Sequence, residues 1–289
     1  LNMLRISCEI ALERPVYQDM ASKFFEHFLH ISVAVNTPMK DSRMGLWDEA
    51  DQFYYDKLHA PDGNTIFMKI RSIVGLIPLA AVEVIDDEML ERLPDFKRRV
   101  EWILNNRPDL ASLISRWHEP GKGATHLLSL LRGHRMKMVL KRMFDETEFL
   151  SDELSIMGGN SNWRGPIWFP INFLLIDSLL KFYQYYGDDF EIEYPTDSGN
   201  IVTIKDAALM IAERLINIFK KNDEDRRPVM NGYSKFDSDE YFKNYYLFYE
   251  YFHGDNGSGL GAAHQTGWTG LVADLIEYIH VFRQETANV

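Results

Sequence analysis

The chain has 289 residues, 46% of them apolar and 13% aromatic, with 31 basic side chains against 43 acidic ones and a formal net charge of −12. That balance excludes a nucleic-acid surface, which needs clustered Lys and Arg, and no apolar run approaches the roughly 20 residues of a membrane span. One cysteine, Cys8, excludes an internal disulfide and a cysteine-based metal cluster.

The opening residues, L-N-M-L-R-I-S, lack the charged, apolar and cleavage regions of a secretion signal, so a cytoplasmic location is expected. A start at Leu rather than Met is expected of a fragment of a longer protein. Leu4, Cys8 and Ala11 recur at helical spacing, which predicts a helix over Leu1–Arg14, stopped at Pro15. Met20, Phe24, Phe28, Ile31 and Val35 predict a second helix over Tyr17–Val35.

Trp47–Asp56 reads W-D-E-A-D-Q-F-Y-Y-D, and the turn Pro61–Asn64 leads into Thr65–Met68, so a β-hairpin is expected about residues 53–68. Asp48, Glu49, Asp51 and Asp56 read as turn carboxylates and caps more readily than as a catalytic acid. Ser72–Ile85 is apolar nearly all round and predicts a buried helix kinked at Pro78. Helices are then expected at Glu88–Leu93, Asp95–Asn105, Asp109–Trp117 and Arg135–Phe144, with an extended run at Thr125–Leu131. The chain continues with helices at Ile171–Tyr186, Lys205–Lys221 and Gly270–Arg283, and a second hairpin about residues 190–204. Helix pairs joined by long aromatic-rich loops favour an all-α toroid over a bundle.

Two stretches stand apart. Gly158–Asn172 reads G-G-N-S-N-W-R-G-P-I-W-F-P-I-N, and Tyr249–Gly270 reads Y-E-Y-F-H-G-D-N-G-S-G-L-G-A-A-H-Q-T-G-W-T-G. The second sets Glu250 in an aromatic run ahead of six glycines, and glycine at that density lets backbone pass close to a ligand. A carboxylate, aromatic faces and amide donors are what a sugar cleft requires. The plainer reading is a glycine-rich turn that joins an aromatic segment to a helix. His253, Asp255 and His264 match no strong metal template, and no phosphate or dinucleotide loop is present, so no metal and no cofactor are expected.

N-W-R-G-P-I-W-F-P-I-N followed by Y-E-Y-F…H-Q-T-G-W-T-G resembles the C-terminal half of glycoside hydrolase family 63. That family holds processing α-glucosidase I and the mannosylglycerate hydrolases, and it is related to the trehalases. The resemblance implies one (α/α)6 barrel domain over residues 1–289, of the six-hairpin glycosidase type, with small β-hairpin insertions and without its upstream residues. It implies an inverting hydrolase of a small α-glucoside or α-mannoside, a disaccharide, an oligosaccharide or a glycosylglycerate. Glu250 matches the general base that activates water, and the general acid is expected upstream of Leu1. Trp163 and Trp168 resemble its sugar-stacking tryptophans and Gln265 its loop glutamine, while Arg164 and Asn172 are candidate partners for sugar hydroxyls and Trp268 a candidate flat face. A longer segment is implied after Leu150, and Gln52 stands where the resemblance implies Gly. The other function class left open is a non-catalytic carbohydrate-binding or scaffold fragment that kept the cleft and lacks the acid.

Overall fold

The computed structural model describes residues 1–37, 45–111, 117, 119–131, 133–150, 166–231 and 233–287. Among them the fold is mostly helical, with five two-stranded antiparallel pairs and no larger sheet. The chain divides into two compact units, Leu1–Val139 with Lys181–Phe190, and Leu140–Leu180 with Glu191–Val289.

In the first unit, α1 (Asn2–Glu13) and α2 (Gln18–Asn36) form a helical hairpin about the turn at Pro15. The predicted stripe of α1 is the buried one at Leu4, Cys8 and Ala11; in α2 the buried face is Ala21, Phe25, Phe28 and Leu29, a rotation away from the expected stripe that leaves Met20 and Ile31 exposed. Burial pushes the Cys8 thiol up to about 12, so it stays protonated and serves as a small apolar side chain. Next come β1 (Trp47–Asp48) with β2 (Phe53–Tyr54), and the hairpin β3 (Asp56–His59) with β4 (Thr65–Met68), where the turn residues placed it.

Ser72–Ile85 departs from expectation. A 3-10 turn (Ile73–Leu76) and one helical turn, α3 (Ile77–Ala80), give way to β5 (Val82–Asp86). An all-apolar run has no period to separate helix from buried strand. Here β-branched Val82, Val84 and Ile85 favour the strand, and a partner, β6 (Thr125–Ser129), takes its backbone bonds. Between them lie α4 (Asp87–Arg92), α5 (Pro94–Asn106) and α6 (Pro108–Ala111). α5 packs on α2 through Phe96, Val100, Ile103 and Leu104. Its first turn is capped from a distance: Asp95 and Phe96 N–H groups donate to Oε1 of buried Gln18 at 2.9 and 3.1 Å.

α7 (Gly133–Met143) begins in the first unit and ends in the second, and α8 (Phe169–Tyr186) runs the opposite way. In the second unit, β7 (Glu191–Glu193) pairs with β8 (Ile201–Thr203), the second expected hairpin. Thr203 caps α9 (Ile204–Asn217), its hydroxyl accepting from Asp206 N–H. Ala207, Ala208, Ile211 and Leu215 form the buried face of α9, against which the last long helix packs. A 3-10 turn (Pro228–Met230) and the short α10 (Ser234–Ser238) lead to β9 (Tyr251–Phe252), β10 (Gly259–Leu260), α11 (Thr266–Thr269) and α12 (Val272–Ala287). Among the described residues no helix is long and apolar enough to cross a membrane.

Candidate functional site

Tyr249–Gly270 is a hairpin rather than an open glycine loop. β9 and β10 pair antiparallel, with Phe252 opposite Gly259 and Tyr251 opposite Leu260. The ladder continues on both sides: Glu250 N–H donates to the Ala262 carbonyl at 2.9 Å, and His253 N–H to that of Ser258 at 2.8 Å. Gln265 N–H then reaches the Phe248 carbonyl at 2.7 Å, closing the base just before α11. Main-chain bonds thus tie the two arms of this segment together, and Glu250 stands immediately before β9 rather than in a free loop.

The glycines serve this geometry. Gly261 has φ +73°, a left-handed conformation that favours glycine, and a Cβ there would lie 2.7 Å from Glu250 Oε2 and 2.9 Å from the Tyr251 ring. Carboxylate and ring therefore sit side by side over one bare patch of backbone. Gly259 makes the matching approach on the other face, where a Cβ would strike the Tyr249 ring at 2.0 Å. Glu250 is half-buried, and its Oε2 lies 3.4 Å from the Ala262 N–H.

Trp268 donates its indole N–H to the Glu250 carbonyl at 3.0 Å and remains 40% exposed, so one side of its ring faces solvent. Thr269, fully buried, donates its hydroxyl to the Tyr249 carbonyl. α11 is thus stitched to the two residues just before β9, Tyr249 and Glu250. Gln265 is exposed at the start of that turn.

The tryptophan-rich stretch joins the same hairpin. Ile167 and Phe252 exchange two main-chain hydrogen bonds, 2.8 and 3.0 Å, which extends β9 by a bridge on its free edge. Trp168, the next residue, is half-buried with its ring 4.9 Å from that of Tyr251. Beneath, Phe169 and Phe219 pack against Phe252 with centroids 6.2 and 5.6 Å away, a rigid aromatic floor. Asn172 is fully buried one turn into α8, where its amide donates to the Trp168 carbonyl at 2.9 Å and so holds that tryptophan's main chain.

The structure brings Glu250, Trp268 and Gln265 together on one hairpin and ties Trp168 and Asn172 to it. Trp163 and Arg164 lie outside the described residues. Sequence reasoning missed the roles of Ile167, Ala262 and Gly261. A clue was available for Gly261, since a glycine eleven positions after an acid in a hairpin can face it. His253 and Asp255 meet only within their own turn, Asp255 N–H donating to His253 Nδ1 at 3.2 Å. Among the described residues no group of three or more His, Cys, Asp or Glu side chains could hold a metal ion.

No protein-family model matches the chain. It is 39% identical over 327 aligned residues, 97% of its own length, to Uncharacterized protein YMR196W of Saccharomyces cerevisiae. It is 25% identical over 234 residues, 80% of its length, to the mannosyl-oligosaccharide glucosidase of the same yeast. The chain spans only 30% and 20% of these two proteins. It is thus distantly similar to a glucosidase, and it shares a longer and closer match with a protein of uncharacterized activity.

Proposed function

We propose that this chain is the C-terminal catalytic part of an inverting α-glycoside hydrolase of the family 63 type, with Glu250 as the general base. The observation that carries the reading is the placement of the Glu250 carboxylate beside the Tyr251 ring, itself against Trp168, in a segment held by Trp268 at the start of β9. The distant likeness to a glucosidase supports the same chemistry. In this reading the paired helices belong to one (α/α)6 toroid over residues 1–289, acting on a small α-glucoside or α-mannoside.

Inversion uses two carboxyl groups about 6.5–9.5 Å apart, one protonating the leaving oxygen while the other takes a proton from water. Glu250 takes that proton as the water attacks the anomeric carbon from the face opposite the leaving group. Trp268 and Trp168 offer flat faces to the sugar's C–H surface, and Gln265 bonds a hydroxyl. Asn172 acts through Trp168 as a positioning residue.

The test is a screen of aryl α-glycosides and glycosylglycerates with the protein at its full natural length, wild type against Glu250→Gln. Loss of a general base costs about 10²–10⁴-fold in rate, so kcat is expected to collapse with KM nearly unchanged. Added azide is expected to restore turnover and give a glycosyl azide of inverted configuration. Near-normal kcat in the variant would remove Glu250 from this role. Sugar binding without hydrolysis by the wild type would favour a carbohydrate-binding module instead.

A further inference from the structure

The segment that leads into the hairpin carries an aromatic surface that the site above does not use. Asp239 caps a single turn of chain: its carboxylate accepts from the N–H groups of Tyr241 and Phe242 at 2.9 and 3.2 Å. Lys243 N–H then reaches the Asp239 carbonyl at 3.0 Å, and Tyr245 N–H that of Phe242 at 2.9 Å. Four of the six residues from 241 to 246 are aromatic, and all four are exposed, Tyr241 by 78% and Tyr245 by 65%. Large rings are seldom left together in water without a use.

The turn is held in shape. Phe242 leans on Phe236, with centroids 5.4 Å apart. Tyr246 is clamped by Arg227, whose guanidinium lies over its ring at 4.8 Å and donates to its hydroxyl at 3.2 Å. Tyr241 and Tyr245, four positions apart on one turn, are left to present their rings outward.

We propose that Tyr241, Tyr245 and Tyr246 form an outer platform for an oligosaccharide whose terminal sugar occupies the Glu250 hairpin. The substrate class is then an α-linked oligosaccharide chain rather than a free disaccharide. This rests on the carbohydrate reading of the hairpin and extends it outward.

Chemistry and connection both select a sugar chain. Three of the four rings are tyrosines, each an apolar face for C–H contact with a hydroxyl at its edge. Lys243 and Asn244 interleave them with polar donors for sugar hydroxyls. Tyr246 stands four residues before Glu250 on the same chain. The turn that follows Arg227, Pro228–Met230, packs against β10, and the Asn231 amide donates to the Asn256 carbonyl at 2.7 Å in the hairpin's turn. Platform and hairpin are thus parts of one connected structure.

Isothermal titration with α-linked gluco- and manno-oligosaccharides of one to four units tests this, using the protein at its full natural length with Glu250→Gln throughout so that the sugars bind without being hydrolysed. Affinity is expected to rise with length, by about two- to tenfold for each ring stacked. Tyr241→Ala/Tyr245→Ala is expected to abolish that rise and leave monosaccharide affinity unchanged. Tyr241→Trp/Tyr245→Trp is expected to keep it, and both variants, altered only at exposed rings, are expected to melt with the wild type. A rise that survives the alanine pair, or monosaccharide binding with no rise at all, overturns the platform and leaves the hairpin site standing. No binding at any length removes the hairpin reading and the platform with it. Release of a bound protein by the alanine pair, with sugar affinities unchanged, would assign the surface to that protein.

Discussion

Trp268 and Glu250 are joined by a hydrogen bond from the indole N–H to the main-chain carbonyl, 3.0 Å long across 18 residues of chain. One ring therefore does two things: its edge holds the main chain of the carboxylate residue just before β9, and one face stays open. The two roles separate on mutation. Trp268→Phe keeps a flat face and loses the donor, which should cost about 1 kcal/mol of stability. Trp268→Ala also removes the face, so sugar affinity should fall further, and stability with it because most of the side chain is covered. Melting and titration calorimetry on both variants check this; equal affinity losses in the two would mean that the ring face contributes nothing.

Gly261→Ala probes the bare backbone beneath the carboxylate. Its new methyl would stand 2.7 Å from Glu250 Oε2 at a φ of +73°. The left-handed conformation alone should cost about 1 kcal/mol. Gly63→Ala is the control, because Gly63 has φ +87° and nothing within 4 Å of a Cβ. Gly261→Ala should lose at least as much stability as the control, because its methyl also meets the Tyr251 ring at 2.9 Å, and only Gly261→Ala should lose turnover, by about 10²-fold for a displaced base. Matched turnover in the two would show that Gly261 matters to the fold alone.

The helices were legible because their apolar spacing is strong: Leu4, Cys8 and Ala11, and later Ala207, Ile211 and Leu215, are buried as the period requires. Strand β5 was not, since Val82, Val84 and Ile85 sit in a run too uniformly apolar to carry a period. At the candidate site the residue types of Glu250, Gln265 and Trp268 were readable, but the hairpin that holds them was not. Strands of two residues, Tyr251–Phe252 and Gly259–Leu260, are too short to show alternation. The bridge from Ile167 to Phe252 joins positions 85 apart in sequence (252 − 167), which no local pattern encodes.

Gln52 stands where the family resemblance implies glycine, and the structure gives it a φ of +52° at the end of the turn between β1 and β2. A side chain with a Cβ is strained in that region, while glycine enters it freely. Gln52→Gly should therefore raise stability by about 0.5 to 1 kcal/mol, the relief of strain exceeding the extra entropy of an unfolded glycine. Urea denaturation with an unchanged slope would read the gain directly. A loss would mean that the Gln52 side chain makes a compensating contact.

Asp48, in the same turn, makes a prediction with a definite sign. It is buried; its Oδ1 accepts from the N–H groups of Ala50 and Asp51 at 3.0 and 2.9 Å, and its Oδ2 pairs with Lys69 at 2.9 Å. Burial pushes this carboxyl up, but the Asp51 N–H, the Lys69 ammonium and the Ala50 N–H together outweigh it and hold it below its ordinary 3.8. A carboxyl that ionises more readily folded than unfolded adds stability above the unfolded value, and that stability drains away as pH falls through the folded one. Asp48→Asn retains an acceptor and removes the charge, so at pH 7 it should lose about 1 to 2 kcal/mol. The gap between wild type and variant should narrow as pH falls below the ordinary carboxyl range and close once pH lies below the lowered folded value, where Asp48 itself is protonated. Added salt at pH 7 should shrink the gap only in part, because Lys69 is half exposed while Asp48 is buried. Melting curves of the two proteins from pH 2 to 8 test the sign, and a gap that stays constant down to pH 2 would assign the stability to turn geometry rather than to the charge.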